Sequence, residues 1–131
     1  MLIVTDETDS IKKIADAISA ELDGFQTLIR PAGSFAGTDL LPAGVFFLGC
    51  EKSDPPSFAY IADMLKHINL AGRSCGIFSS GGKALKYLSG LVKDCEALVA
   101  EPFLVKDGIV DPAVLKKWIR GIVKGIPKES R

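Results

Sequence analysis

Short apolar runs alternate along this chain with longer stretches in which apolar residues recur every three or four positions. Leu2-Ile3-Val4 is a continuous apolar run, the pattern of a strand covered on both faces. Ile11, Ile14, Ala15, Ile18 and Leu22 follow at helical spacing, with Lys12, Lys13, Asp16 and Glu21 on the opposite side. Asp9 or Ser10 is placed to cap that helix and Gly24 to end it. Residues 26–29 read as a second strand, followed by Pro31 and a Gly/Ser-rich loop through Gly37. Residues 39–42 give at most one helical turn.

Val45-Phe46-Phe47-Leu48 is the clearest buried strand, closed by Gly49. Pro55 or Pro56 can open the next helix, with Phe58, Ile61, Ala62, Leu65 and Ile68 as its apolar positions and an end near Gly72. Residues 75–78 form a further strand, and Ser79-Ser80-Gly81-Gly82 turns into a helix carrying Leu85, Leu88, Leu91 and Val92. Ala97-Leu98-Val99-Ala100 opens the last strand region, which resumes at Phe103-Leu104-Val105 beyond Pro102. Asp111-Pro112 pairs a capping residue with a proline at the first helical position. Leu115, Trp118, Ile119, Ile122 and Val123 line the final helix.

Five strands alternating with four or five helices call for an α/β fold around a parallel sheet. Such sheets bind ligands outside the strand C-termini, where the strand order reverses. That edge carries three loops, residues 5–10, 49–57 and 79–83, and a ligand is expected to meet backbone N–H groups in at least two of them. The opposite edge carries turns such as Asp23-Gly24 and Ala71-Gly72-Arg73, which read as helix-ending connections.

Composition narrows the class. The chain has 131 residues, enough for one domain spanning 1–131, with 47% hydrophobic and 24% charged residues, which is globular. Lys+Arg and Asp+Glu both number 16, so no bulk field favours nucleic acid or an anionic membrane. The longest apolar-plus-glycine run, residues 43–50, falls short of the ~20 residues needed to span a bilayer. Met1 leads straight into the first strand and then Asp6 and Glu7, which is not the pattern of a signal peptide. Cys50, Cys75 and Cys95 are odd in number and widely spaced, as expected of reduced thiols in a cytoplasmic protein.

The arrangement of these segments resembles flavodoxins and related short-chain flavodoxin-like proteins. Leu2-Ile3-Val4 through Ile11-Lys12-Lys13-Ile14-Ala15 is similar to the family's first strand, phosphate loop and first helix. Asp39-Leu40-Leu41 with residues 44–50 is similar to the approach to its third strand, and residues 70–82 to its fourth strand and following loop. The resemblance implies a three-layer, doubly wound sandwich with a five-stranded parallel sheet in the order 2-1-3-4-5. It also implies an FMN site held by the loops at the strand C-termini.

On that resemblance the cofactor-binding candidates are Thr5, Asp6, Glu7, Thr8, Asp9 and Ser10 in the first loop. Gly49, Cys50, Glu51 and Ser53 follow in the second, and Ser79, Ser80, Gly81 and Gly82 in the third. The family's first loop, roughly [ST]-x-T-G-x-T, holds phosphate with hydroxyls and N–H groups at a helix N-terminus. Thr8 keeps a hydroxyl here, whereas Asp9 stands in place of the glycine and Ile11 in place of the last threonine. At ~6 Å and an effective dielectric of ~20, each unit charge pair repels by about 3 kcal/mol, so Asp6, Glu7 and Asp9 weaken phosphate binding. The same three acids equally suit the positive end of the first helix with no ligand at all.

Other single residues carry plainer readings. A flavin ring needs flat apolar partners, yet the second and third loops hold no aromatic; Phe58 and Tyr87 are the nearest candidates, and Phe58 has helical core spacing. Trp118 reads as packing, Cys50 as a buried thiol, and His67 as a solvated helix position without a metal-binding partner. Lys116, Lys117, Arg120, Lys124 and Lys128 make a solvated basic face. No catalytic set and no metal site emerge. Two functions follow: an FMN-binding electron-transfer or reductase-type module working with a redox-partner protein, or a cofactor-free flavodoxin-fold domain acting as a binding or regulatory module.

Overall fold

The computed structural model describes residues 1–34 and 36–126. Lys128 lies outside the described residues. Strands β1 (Leu2–Thr5), β2 (Leu28–Pro31), β3 (Val45–Gly49), β4 (Ser74–Ser79), β5 (Leu98–Val99) and β6 (Phe103–Leu104) form a single sheet, and every described pairing is parallel. The order is 2-1-3-4-5, with β6 pairing β4 beyond β5.

Strand periodicity sends alternate side chains to two faces, and each face meets its own helices. Leu2, Val4, Phe46, Leu48, Cys75 and Ile77 pack with α3 (Ala59–Leu65) and α4 (Gly82–Val92). Ile3, Val45, Phe47 and Phe78 pack with α1 (Asp9–Glu21) and α5 (Pro112–Val123). The result is a three-layer α/β sandwich. Phe46, Phe47, Phe58 and Phe78 are fully buried, and each contributes roughly 1.5–3 kcal/mol relative to exposure.

Two glycines permit close packing within these layers. A Cβ at Gly49 would stand 2.3 Å from the Phe78 ring, and one at Gly76 would meet Phe47 at 2.8 Å and Ile122 at 2.9 Å. Neither position needs a ligand to explain it.

The fifth strand is split. Ser74 and Cys75 pair with Leu98 and Val99, then Phe78 and Ser79 pair with Phe103 and Leu104, so three residues oppose two between them. Pro102, which has no N–H to donate, sits in that bulge, and the Glu101 carbonyl accepts the Trp118 indole N–H at 2.7 Å.

Three boundaries differ from the periodicity. The second strand lies at Leu28–Pro31 rather than 26–29, because the ladder with β1 begins where Leu28 N–H donates to the Met1 carbonyl at 2.9 Å. Pro31 is tolerated there because β2 is an edge strand. The third major helix enters through a 3₁₀ turn, Pro56–Phe58, and stops at Leu65 rather than near Gly72. Lys66 and His67 donate to carbonyls three residues back, and Asn69 Oδ1 takes the Ala71 N–H at 2.9 Å, an Asx turn that competes with further helix. The cap of α1 is Thr8, not Asp9 or Ser10, both of which lie inside the helix. A four-residue helix, α2 (Gly37–Leu40), follows the loop after β2.

Candidate functional site at the strand C-termini

Because the strands are parallel, Thr5, Gly49 and Ser79 end on one edge, and the register sets Thr5 beside Gly49 and Gly49 beside Phe78. The three loops that follow are tied together by side chains. Asp6 Oδ2 accepts the Glu51 N–H at 2.7 Å, and Ser10 donates its hydroxyl to Glu51 Oε2 at 2.8 Å, joining the first loop to the second. The buried Ser79 hydroxyl donates to the Cys50 carbonyl at 2.6 Å and accepts the Gly81 N–H at 3.0 Å, joining the second to the third. Gly81 lies against this junction, since a Cβ there would stand 3.5 Å from the Glu51 carbonyl oxygen.

Asp6 has a larger role than charge. Its Oδ1 accepts both the Thr8 N–H, at 3.1 Å, and the Thr8 hydroxyl, at 2.7 Å. Thr8 stands at the N-cap of α1, yet its side chain makes no cap hydrogen bond, because the hydroxyl is turned toward Asp6. Glu7 and Asp9 are exposed, while Asp6 is half-buried between the loops. The three acids therefore do not act alike: two lie in solvent and one is a ligand of the backbone. Glu7 and Asp54 both adopt left-handed backbone, with φ of 69° and 51°, so each of the first two loops contains a strained non-glycine residue.

Cys50 is fully buried, and burial pushes its thiol up to about 12, with the Asp6 carboxylate adding to the shift. Thr5 is also buried, Glu51 is half-buried, and Ser53, Lys52 and Asp54 are exposed. Ser80 is half-buried and Gly82 exposed at the start of α4.

The fit to a flavin is uneven. Hydroxyls and N–H groups gather at the strand C-terminal edge, but Asp6 and Glu51 hold four of them. Phe58 is fully buried in the core and gives no open face. Tyr87 packs against it with ring centroids 6.4 Å apart, and its buried hydroxyl has no hydrogen-bond partner. Burial, then the charges of Asp54 and Cys50, raises the Tyr87 hydroxyl to about 12. Trp118 packs on the other face, stacked on Phe103 at 4.9 Å. The exposed aromatic nearest the second loop is Tyr60, on the first turn of α3, which sequence spacing did not single out.

His67 lies just past α3, exposed and 4.0 Å from Asp63, a carboxylate partner at i−4 that the sequence reading passed over. Among the described residues no three His, Cys, Asp or Glu side chains gather as a metal group. Lys116, Lys117, Arg120 and Lys124 are exposed, as a solvated face requires. Among the described residues, no helix is long and apolar enough to cross a membrane.

No protein-family model matches the chain. A curated relative, probable flavodoxin 2 of Bacillus subtilis (strain 168), is 29% identical over 94 residues, covering 71% of this chain and 62% of the relative. Solved flavodoxin structures superpose over nearly the whole chain. A short-chain flavodoxin associated with a non-canonical PDU bacterial microcompartment has a TM-score of 0.84 at 16% identity, covering 94% of this chain and 95% of the other.

The chain is flavodoxin-like. The Fusobacterium nucleatum flavodoxin, solved bound to flavin mononucleotide, shares this fold with a TM-score of 0.73 at 14% identity over 94% of this chain and 95% of its own. The present chain spans about 62% of the length of the curated relative it matches.

Proposed function

We propose that this flavodoxin-like chain is an FMN-binding electron-transfer or reductase-type module with a degraded phosphate loop, serving a redox-partner protein in the cytoplasm. The observation that carries the reading is the stitching of the loops at 5–10, 49–57 and 79–83 into one surface at the strand C-termini. Sheets of this topology present ligand sites there. The fold relatives support the choice of flavin, since one of them is solved with flavin mononucleotide bound.

A bound flavin supplies the electron chemistry, and the protein's part is to hold and shield it. Backbone N–H groups at the start of α1 and of α4 are the donors left for the phosphate and ring edge. Cys50 lines the second loop as a neutral thiol at physiological pH, so it adds no charge beside a ring. The three buried cysteine thiols suit a reducing compartment.

The second reading, a cofactor-free binding or regulatory module, is favoured by the carboxylates that take up the first loop's donors. FMN titration followed by visible absorption and flavin fluorescence separates the two. Saturable quenching with a perturbed flavin spectrum supports the first. An unchanged flavin spectrum with folded protein in excess leaves the second.

A further inference from the structure

We propose that Asp6 is the specificity-determining residue of this site: its carboxylate stands in for the phosphate monoester, so a terminal phosphate gives a ligand little advantage over a free hydroxyl. For its ligand this rests on the flavin-site reading above.

A phosphate monoester bound by such a loop needs several convergent donors, because its oxygens carry close to two negative charges. Asp6 and Glu51 between them engage four donors of the first two loops: the Thr8 N–H, the Thr8 hydroxyl, the Ser10 hydroxyl and the Glu51 N–H. Asp6 takes three of the four, at 3.1, 2.7 and 2.7 Å, using both carboxylate oxygens. Glu51 takes the fourth, the Ser10 hydroxyl, at 2.8 Å. An incoming phosphate therefore has to displace an internal anion that is covalently part of the loop and present at high effective concentration. The first-turn N–H groups of α1, which Thr8 leaves without a side-chain cap, stay open to it.

The same geometry explains why Asp6, rather than the other acids, decides the matter. Glu7 and Asp9 are exposed, so solvent screens their charges. Asp6 both carries charge at the site and removes the donors. A ligand that offers a hydroxyl in place of phosphate loses little by comparison, so the site should treat riboflavin and FMN nearly alike.

The test compares wild type, Asp6→Ser and Asp6→Asn, with Glu51→Gln as a second-site control. Inorganic phosphate is titrated while the Thr8, Ser10 and Glu51 amide resonances are followed, and FMN and riboflavin affinities are measured by fluorescence quenching. In wild type the Thr8 and Glu51 amides should not respond at phosphate concentrations that shift them in Asp6→Ser. The FMN-to-riboflavin affinity ratio should rise about tenfold in that variant. Asp6→Asn carries the same comparison if Asp6→Ser does not fold. Wild-type Thr8 and Glu51 amides that follow phosphate as strongly as the variant's would overturn the proposal. If neither flavin binds any form while the phosphate responses still diverge, the flavin reading fails and the role of Asp6 stands.

Discussion

The Ser79 hydroxyl donates to the Cys50 carbonyl at 2.6 Å, holding the end of β4 against the loop that leaves β3. Ser79 is fully buried and also accepts the Gly81 N–H, so one side chain satisfies a carbonyl and an amide in two loops. Ser79→Ala leaves both groups short of a partner in a site water reaches poorly. It should cost about 1–3 kcal/mol of stability, read from urea unfolding. A loss under a few tenths would mean the two loops are held by other contacts.

Glu7 adopts a φ of 69°, where a side chain is strained and glycine is not. Its side chain is exposed, so little else is lost on removing it. Glu7→Gly should raise stability by up to about 1 kcal/mol, whereas Glu7→Ala should gain nothing. Equal melting temperatures for the two variants would contradict the strain.

Tyr87 buries a hydroxyl without a partner, a group that costs roughly 1–3 kcal/mol when left unmade. Tyr87→Phe keeps the packing against Phe58 and should leave stability unchanged or higher by about 1 kcal/mol. A clear loss in thermal unfolding would show that the hydroxyl is bonded in solution.

Burial of the cysteine thiols makes stability fall at alkaline pH. The folded Cys50 thiol lies at about 12 against an ordinary value of 9.0, and burial also pushes Cys75 up, with the Cys95 thiol adding to it. Such groups keep their protons when the unfolded chain has lost its own, so their contribution is whole below about 9 and is lost as pH rises toward 12. The urea midpoint should therefore fall from neutral pH to about pH 10, and less steeply in Cys50→Ala. A flat profile would contradict the burial of these thiols.

The sheet was legible because its strands are short apolar runs and its helices have clear stripes: Val45 to Gly49 and the Ile11, Ile14, Ile18 stripe fall where the periodicity puts them. Boundaries were less so where hydrogen bonding overrides pattern. Ile68 keeps helical spacing and still packs on the core, yet α3 ends at Leu65, where Lys66 and His67 turn back on carbonyls three residues earlier. The candidate loops were legible as places, since topology brings them to one edge. What Asp6 does there was not, because an acid near a helix start looks the same in sequence whether it faces solvent or binds the N–H of a residue 45 positions away.

A flavin seated on the three joined loops would perturb their amides first, which amide shift mapping during FMN titration reads out. The largest shifts should fall in at least two of the segments 5–10, 49–57 and 79–83. Shifts confined to the groove lined by Phe103, Trp118 and Ile122 would contradict it, as would shifts around the Gly24 and Gly72 turns at the opposite edge.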